Sequence, residues 1–194
     1  MFLFFKSSFI LQLVLTIFVS IFVITIMSKN QNISFTFKSS NICLNANNSF
    51  SWPTPNYKQI SSYFGYRKSP TQGASSYHSG IDILAPQGTN IQAIANGYVS
   101  FVGFDGGNGY CVKLTHDNNY SSTYAHISPN FLVEKGDIIK KGTTIAKVGP
   151  KYIDTNIYGY TDGTGKYTNG ATTGPHLHLA ISKDGKRINP SSVL

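Results

Sequence analysis

The chain has 194 residues and carries 16 lysine and arginine residues against 8 acidic ones, so its formal net charge at pH 7 is +8. A basic balance favours polyanionic partners, but no basic and aromatic motif typical of nucleic-acid binding is present, so we predict no nucleic-acid partner. Cys43 and Cys111 allow at most one disulfide, which excludes a disulfide-rich scaffold, and neither lies in a metal-binding pattern. Two free thiols fit the sequence at least as well as one bridge.

Residues 1–28 contain a long apolar stretch, Ser7–Ser28, without a single charge. At a rise of about 1.5 Å per residue, a helix of this length crosses the roughly 30 Å hydrocarbon core of a bilayer. A cleaved signal peptide has a shorter apolar region and a small-x-small cleavage site, and no such site follows Ile26. We therefore predict a retained transmembrane signal-anchor, with a cleaved signal peptide as the alternative. Lys6 and Lys29 give almost no charge asymmetry, so the orientation does not follow from the positive-inside rule.

Residues 29–57 are rich in Asn, Ser, Lys and Thr. Low apolar content predicts a polar linker or stalk rather than a folded domain. Four apolar residues leave room for part of this segment to pack onto the domain that follows: Phe35, Phe37, Ile42 and Trp52.

From residue 58 to residue 194 the pattern predicts β-structure, and no segment has a clear 3.6-residue period. Short apolar or β-branched runs alternate with Gly- and Asn-rich turns, which favours an all-β fold, a compact antiparallel β-sandwich or barrel-like sheet with long loops. About 135 residues suffice for one core, so a single globular domain is expected. The predicted strands are Ile91–Ala95, Tyr98–Phe104, Tyr110–Thr115, Tyr120–Tyr124 and Thr144–Val148.

Two groups of polar residues indicate a metal site. In the predicted strand at residues 174–182, His176 and His178 point to one face, because side chains alternate along a strand. Upstream, His78 and Asp82 are separated by three residues, one of them a glycine. Imidazole and carboxylate groups are zinc ligands, and His78, Asp82 and one histidine of the pair would leave the fourth tetrahedral position for water, as in catalytic zinc sites. His126, at the end of a predicted strand, is available as an acid or base.

These groups, in their order and spacing, resemble the signature of the LytM/lysostaphin-type zinc metalloendopeptidases, which cleave peptide bonds in bacterial peptidoglycan. The resemblance covers roughly residues 58 to 190 and includes shorter stretches such as Phe64–Arg67 and Ile188–Pro190. Its main elements are His78-x-x-x-Asp82, Tyr124-Ala125-His126 and Gly174-Pro175-His176-Leu177-His178.

The resemblance implies that zinc is held by His78, Asp82 and His178. It also implies that His126 and His176 are catalytic, one as the general base and the other at the developing oxyanion, without deciding which does which. The implied partners are peptidoglycan peptides, with anionic wall polymers as further partners of the basic surface and the membrane as partner of the N-terminal helix. We expect a monomer in the cell envelope, anchored in the cytoplasmic membrane with the catalytic domain outside; a secreted protein is the alternative.

Two other functions compete with the peptidase. A membrane-anchored, non-catalytic wall-binding scaffold or hydrolase activator could keep the fold, although such relatives typically lose site residues, and all five are present here. Residues 136–149 also read as a strand, a Lys-Lys-Gly turn and a strand, similar to the swinging-arm domains that carry biotin or lipoate, but a carrier needs no His/Asp cluster.

The chain departs from the family pattern at two positions. A tyrosine that assists the oxyanion in some relatives is replaced by Gln72, and Tyr77 is not an obvious substitute. A glutamate two residues after the terminal histidine is replaced by Ala180.

Two remaining features stand beside the predicted site. We predict a structural or surface role for His116, because it lies beside turn residues. The tyrosine-rich segment between Gly149 and His176 is hypothesised to form a wall of the substrate groove, with a variable surface insertion as the equal alternative.

Overall fold

The computed structural model describes residues 50–154 and 160–194, which lie in one compact unit, Asn47–Leu194. Within this part of the chain, regular structure consists of twelve strands and two short 3-10 turns, at Gly106–Asn108 and Pro190–Ser192. The strands are β1 (Ile60–Ser62), β2 (Gly65–Tyr66), β3 (Tyr77–His78), β4 (Ile81–Ile83), β5 (Asn90–Gln92), β6 (Gly97–Phe104), β7 (Tyr110–Thr115), β8 (Tyr120–Ala125), β9 (Ile138–Ile139), β10 (Thr144–Lys147), β11 (Leu177–Lys183) and β12 (Lys186–Ile188). The predicted all-β class is confirmed.

Eight strands form one antiparallel sheet in the order β1-β4-β11-β8-β7-β6-β9, and β12 pairs with the distal part of β11. Strand β11 lies between β4 and β8, so the histidine-bearing strand occupies the middle of the sheet. The register places His178 opposite Asp82 on one side and opposite Ala125 on the other. The remaining pairs are β5 with β10 and β2 with β3.

The β7–β8 hairpin shows how local sequence sets the fold. Asn118 and Asn119 both have positive φ, at 54° and 59°, and the Tyr120 N–H donates to the Asp117 carbonyl at 3.3 Å. Two successive positive φ values define a type I′ turn, whose twist matches that of the flanking strands and which favours asparagine. The turn expected between the predicted strands Tyr110–Thr115 and Tyr120–Tyr124 is confirmed.

One apolar cluster joins the eight-stranded sheet to the β5–β10 pair. Ile91 of β5 and Ile145 of β10 are fully buried in the same cluster as Ile81 of β4 and Leu179 of β11. Burying such a side chain contributes about 1.5–3 kcal/mol. The inward face of β11 therefore holds the strand, and with it the histidine on its other face, against a rigid core.

Residues 136–149 do form two strands joined by a turn, as predicted. The two strands, however, pair with different partners. Strand β9 pairs with β6, whereas β10 pairs with β5. They do not form a hairpin with each other, so the likeness to a swinging arm does not extend to their pairing.

The last residues of the predicted linker pack onto the domain. Phe50 and Trp52 are partly buried against the core, the Ser51 N–H donates to the Ile94 carbonyl at 2.9 Å, and Thr54 is fully buried. The packing suggested for Trp52 is thus confirmed.

Two N-terminal predictions fall outside the described residues. The linker up to residue 49 and the predicted transmembrane segment, residues 1–28, both remain predictions. Within residues 50–154 and 160–194, no helix has the length and apolar character that a membrane crossing requires.

Candidate active site

Three predicted metal ligands meet where β3, β4 and β11 adjoin. His78 ends β3, Asp82 is the middle residue of β4, and His178 lies on β11 directly opposite Asp82. The Asp82 Oδ1 atom is 2.9 Å from His178 Nδ1 and 3.1 Å from His78 Nε2, and the two nitrogens are 2.9 Å apart. Side chains separated by up to 100 residues in sequence therefore place three potential ligand atoms in a tight triangle.

The triangle fits a tetrahedral zinc ion. With metal–ligand distances of about 2.0–2.1 Å, neighbouring ligand atoms of a tetrahedral site lie roughly 3.3 Å apart, close to the separations observed here. The His78 Nδ1 atom is 2.9 Å from the Tyr63 carbonyl, which can only accept, so Nδ1 carries the proton and Nε2 presents a lone pair. This Nε2 atom lies 3.1 Å from Asp82 Oδ1, and a cation bound by both atoms would stabilise such close electron-rich groups.

Arg67 holds the other oxygen of the ligand carboxylate. Its Nη1 atom donates to Asp82 Oδ2 at 3.0 Å and also to the Ser62 hydroxyl. Burial would raise the pKa of Asp82, but its contacts with the imidazoles of His176, His178 and His78 outweigh burial and hold the pKa well below its ordinary value of 3.8. The carboxylate thus stays ionised, with Oδ1 directed at the two histidine ligands. Sequence reasoning assigned no role to Arg67, although a charged residue within the family stretch was the available signal.

The two predicted catalytic histidines lie beside the ligands. The rings of His126 and His176 are 4.8 Å apart, and His176 Nε2 is 3.5 Å from Asp82 Oδ1. Each Nδ1 atom faces a backbone carbonyl, that of Asn169 at 2.7 Å for His126 and that of Gly174 at 2.9 Å for His176. Both Nδ1 atoms therefore donate, and in each neutral ring Nε2 is the free base. Burial and the neighbouring imidazoles lower the pKa of His126 to about 3, so it is neutral at pH 7.

His126 is fixed by its backbone as well as by its ring. Its φ is +57°, a left-handed conformation uncommon for a residue other than glycine. The His126 N–H donates to the Asn108 carbonyl, and the His126 carbonyl accepts from the Gly149 N–H, both at 2.9 Å. Such conformations persist where surrounding bonds impose them. The loop after β8 therefore holds its histidine in one orientation.

Gly80 leaves the space that the His178 ring needs. A Cβ atom at position 80 would lie 2.8 Å from His178 Cε1 and 2.4 Å from the Leu179 carbonyl oxygen. No methyl group fits at these distances. The glycine between the first two ligands is thus required by close approach of β11.

The five site residues open onto one cleft of about 700 Å³. Its charged residues other than histidines are Arg67, Lys68 and Asp82. Asp82 is already paired with Arg67, whereas Lys68 has no acidic partner among the described residues. The cleft therefore offers a free positive charge to a substrate. Its walls include small side chains, among them Gly73, Ala74, Gly107, Ala171 and Gly174.

The end of the tyrosine-rich segment lines this cleft through Ala171, Thr173, Gly174 and Pro175, whereas its described tyrosines do not. Isolated bridges join Tyr152 to Thr168 and Thr161 to Tyr167, and none of the described tyrosines between residues 150 and 175 is among the lining residues. Tyr160 instead packs behind the walls, because a Cβ atom on Gly73 would lie 2.9 Å from its ring. Tyr158 lies outside the described residues. The segment's direct role as a substrate-binding wall stays a hypothesis.

The family profile of Peptidase family M23 matches residues 76–190, which contain all five predicted site residues. The chain belongs to peptidase family M23. This confirms the LytM/lysostaphin-type resemblance. Among similar proteins, the DD-carboxypeptidase/endopeptidase Mpg of Neisseria meningitidis is 37% identical over 137 residues, 71% of this chain and 27% of Mpg. The peptidoglycan DD-endopeptidase ShyC of Vibrio cholerae is 33% identical over 138 residues, 71% of this chain and 28% of ShyC.

A solved structure gives the same result at the level of the fold. The crystal structure of a zinc-containing peptidase from Vibrio cholerae superposes with a TM-score of 0.57 at 28% identity, covering 73% of this chain and 39% of that one. The chain spans about a quarter of the length of Mpg and ShyC, and the similarity concerns the M23 domain.

The two departures from the family pattern have clear positions in this M23 domain. Gln72 is exposed and does not line the cleft, whereas Tyr77 does, with its ring packed edge-on against Phe64 and Tyr66. Ala180 is buried in β11.

His116 and Cys111 lie outside the site and are buried in the domain. His116 is buried, with Nδ1 2.8 Å from the Asn96 carbonyl and Nε2 2.7 Å from the Ser122 hydroxyl, and burial lowers its pKa. Of the two roles predicted for His116, a surface position is wrong, and its burial and two hydrogen bonds fit the structural one. Cys111 is free and buried, and burial raises the pKa of its thiol to about 12. Cys43 lies outside the described residues.

Proposed function

We propose that this M23 domain is a zinc-dependent endopeptidase that hydrolyses peptide bonds in bacterial peptidoglycan. The observation that carries the proposal is the convergence of five side chains in one cleft. Three present ligand atoms within 2.9–3.1 Å of one another, and two are imidazoles beside them whose Nδ1 atoms face backbone carbonyls, which directs Nε2 to the chemistry. Four of the five histidines of the chain are used in this way.

Each group has a defined part in the proposed reaction. When bound, zinc supplies a Lewis acid and lowers the pKa of a coordinated water towards about 7. His126 and His176 are placed for general acid–base work: one takes a proton at Nε2 and delivers it to the leaving amine, and the other, when its ring is protonated at both nitrogens, donates from Nε2 to the developing oxyanion. Arg67 keeps the ligand carboxylate in one orientation, which limits reorganisation during the reaction.

The substrate class rests on the relatives and on the charge of the cleft. ShyC is named a peptidoglycan DD-endopeptidase, and its similarity to this chain extends over the M23 domain. Peptidoglycan peptides carry free carboxylates, which suit a cleft whose unpaired charge is the ammonium group of Lys68. The net charge of +8 favours the same polyanionic environment.

We further propose that residues 1–28 anchor the protein in the cytoplasmic membrane with the M23 domain outside, where peptidoglycan lies. The length of the uncharged segment Ser7–Ser28 supports an anchor. A monomer suffices for this proposal, because every proposed ligand and catalytic residue comes from one chain.

The decisive experiment measures release of new amino groups from purified peptidoglycan by the full-length chain. It is run with zinc, with a chelator, and with a His178→Ala variant. The matched control is His116→Gln, which alters a buried histidine outside the cleft. Zinc-dependent release that is lost with the chelator and in His178→Ala, but kept in the control, is expected, and mass spectrometry of the fragments then names the bond.

A chain that binds zinc yet releases no amino groups from any peptidoglycan preparation would refute the peptidase and leave the non-catalytic scaffold or activator.

A further inference from the structure

Asn169 is a fully buried amide at the end of the tyrosine-rich segment, next to the cleft. Its side chain uses both of its ends, because Oδ1 accepts from the Tyr110 N–H at 2.8 Å and Nδ2 donates to the Ile127 carbonyl at 2.9 Å. Its own N–H donates to the Lys151 carbonyl at 2.8 Å. A buried amide with such partners has one favourable orientation, since rotating it by 180° would set donor against donor and acceptor against acceptor.

The backbone carbonyl of Asn169 points at the catalytic histidine. It is 2.7 Å from His126 Nδ1. A carbonyl can only accept, so this contact selects the tautomer of neutral His126 that carries its proton on Nδ1. The opposite tautomer would place two lone pairs against each other and would remove the free base at Nε2.

We propose that Asn169 is a positioning residue for His126. Its side-chain amide bonds strands and loops on both sides of the histidine, through Tyr110 at the start of β7 and Ile127 just after His126, and thereby fixes where its carbonyl lies. The carbonyl in turn fixes the tautomer and ring orientation of His126. This inference rests on the proposed function, in which His126 acts through Nε2.

The packing around Asn169 leaves no room for another arrangement. A Cβ atom on Gly109 would lie 2.3 Å from the Asn169 carbonyl oxygen, and one on Gly149 would lie 2.7 Å from its Nδ2 atom. Gly109 and Gly170 also have positive φ values of 63° and 73°. Two close backbone approaches thus hold the amide in place.

Asn169 also connects the tyrosine-rich segment to His126 through hydrogen bonds. The bond to Lys151 closes the base of that segment, next to the Tyr152–Thr168 bridge. A displacement of the base of the segment would therefore move the carbonyl on which the tautomer of His126 depends. The segment acts on catalysis through this residue, even though its described tyrosines do not line the cleft.

The test combines kinetics with ¹⁵N NMR of the histidine rings in the full-length chain, wild type and variants. In Asn169→Ala, kcat should fall about 10- to 100-fold, the effect typical of removing an orienting partner, while KM and zinc content change little. The NMR signature of His126 should lose its pure Nδ1–H form. Asn169→Asp keeps the acceptor for the Tyr110 N–H but loses the donor to the Ile127 carbonyl, so its kcat should lie between those of wild type and Asn169→Ala. It replaces the alanine variant in the test if that variant does not fold.

Ser122→Ala is the matched control, because it removes a buried side-chain bond to the non-catalytic His116. Its denaturation midpoint should fall comparably while kcat and the His126 spectrum stay at their wild-type values. An unchanged His126 tautomer in the Asn169 variants would overturn the proposal, whether or not the wild type hydrolyses peptidoglycan. Equal losses of kcat in Ser122→Ala would overturn it as well. Because the spectrum needs no turnover, failure of this proposal is distinguishable from failure of the peptidase assignment.

Discussion

Replacing Gly80 by alanine should disable the site through a single methyl group. The new Cβ would lie 2.4 Å from the Leu179 carbonyl oxygen and 2.8 Å from His178 Cε1. Non-bonded carbon atoms prefer about 3.5–4.0 Å, so β11 or the His178 ring must move by roughly 0.7–1 Å. His178 pairs directly with Asp82, and such a movement would open the ligand triangle.

The expected loss follows from that displacement. A misplacement of about 1 Å can cost around 100-fold in rate, or about 2.7 kcal/mol of transition-state stabilisation. Zinc affinity should weaken about 10- to 100-fold. Both are measured on the full-length chain, by amino-group release from peptidoglycan and by competition with a zinc chelator.

Gly163→Ala is the matched control, because a Cβ there meets no atom within 4 Å and its φ is not positive. It should behave as wild type. Wild-type zinc affinity and turnover in Gly80→Ala would show that the site tolerates the displacement and that the steric argument is wrong.

Three further predictions concern stability and substrate charge. A fragment that starts at Lys58 should be less stable than one that starts at Asn47 by about 2–4 kcal/mol, because it lacks the two aromatic residues that pack on the core; equal denaturant midpoints would contradict that packing. Burial lowers the pKa of His116 below its ordinary 6.5, so its contribution to the free energy of unfolding is complete above about pH 6.5 and declines as the pH falls. His116→Gln should therefore show a smaller loss of stability between pH 7.5 and pH 5.5 than the wild type, and parallel profiles would rule this out. Lys68→Gln should raise KM for peptidoglycan several-fold and weaken its salt dependence at unchanged zinc content; an unaltered KM would remove Lys68 from substrate recognition.

Local sequence was sufficient for the longer strands, those of four or more residues. Short apolar or β-branched runs between Gly- and Asn-rich turns predicted five strands, and the structure has a strand at each of these places, β5, β6, β7, β8 and β10. The pairing of the strands was harder to predict from the sequence, because β9 and β10 are adjacent in sequence yet pair with β6 and β5 respectively. The choice of partner depends on which apolar faces meet in the core, and nothing within residues 136–149 encodes that.

The proposed ligands and catalytic histidines could be named from the sequence because their residue types and order form a signature that does not depend on knowing the fold. Their supporting residues could not. Asn169 reaches His126 across 43 positions, and Arg67 reaches Asp82 across 15. In sequence, Asn169 is one polar residue in a polar loop, and its function arises from burial and from the direction of its backbone carbonyl.

The sequence by itself therefore determined the β class and the family signature and predicted the five site residues, because periodicity, turn chemistry and ligand type are local properties. Only the tertiary structure decided which nitrogen of each catalytic histidine is protonated, why Gly80 must be a glycine, and which buried residues hold the site. Those properties depend on distances between atoms that the chain brings together only when it folds.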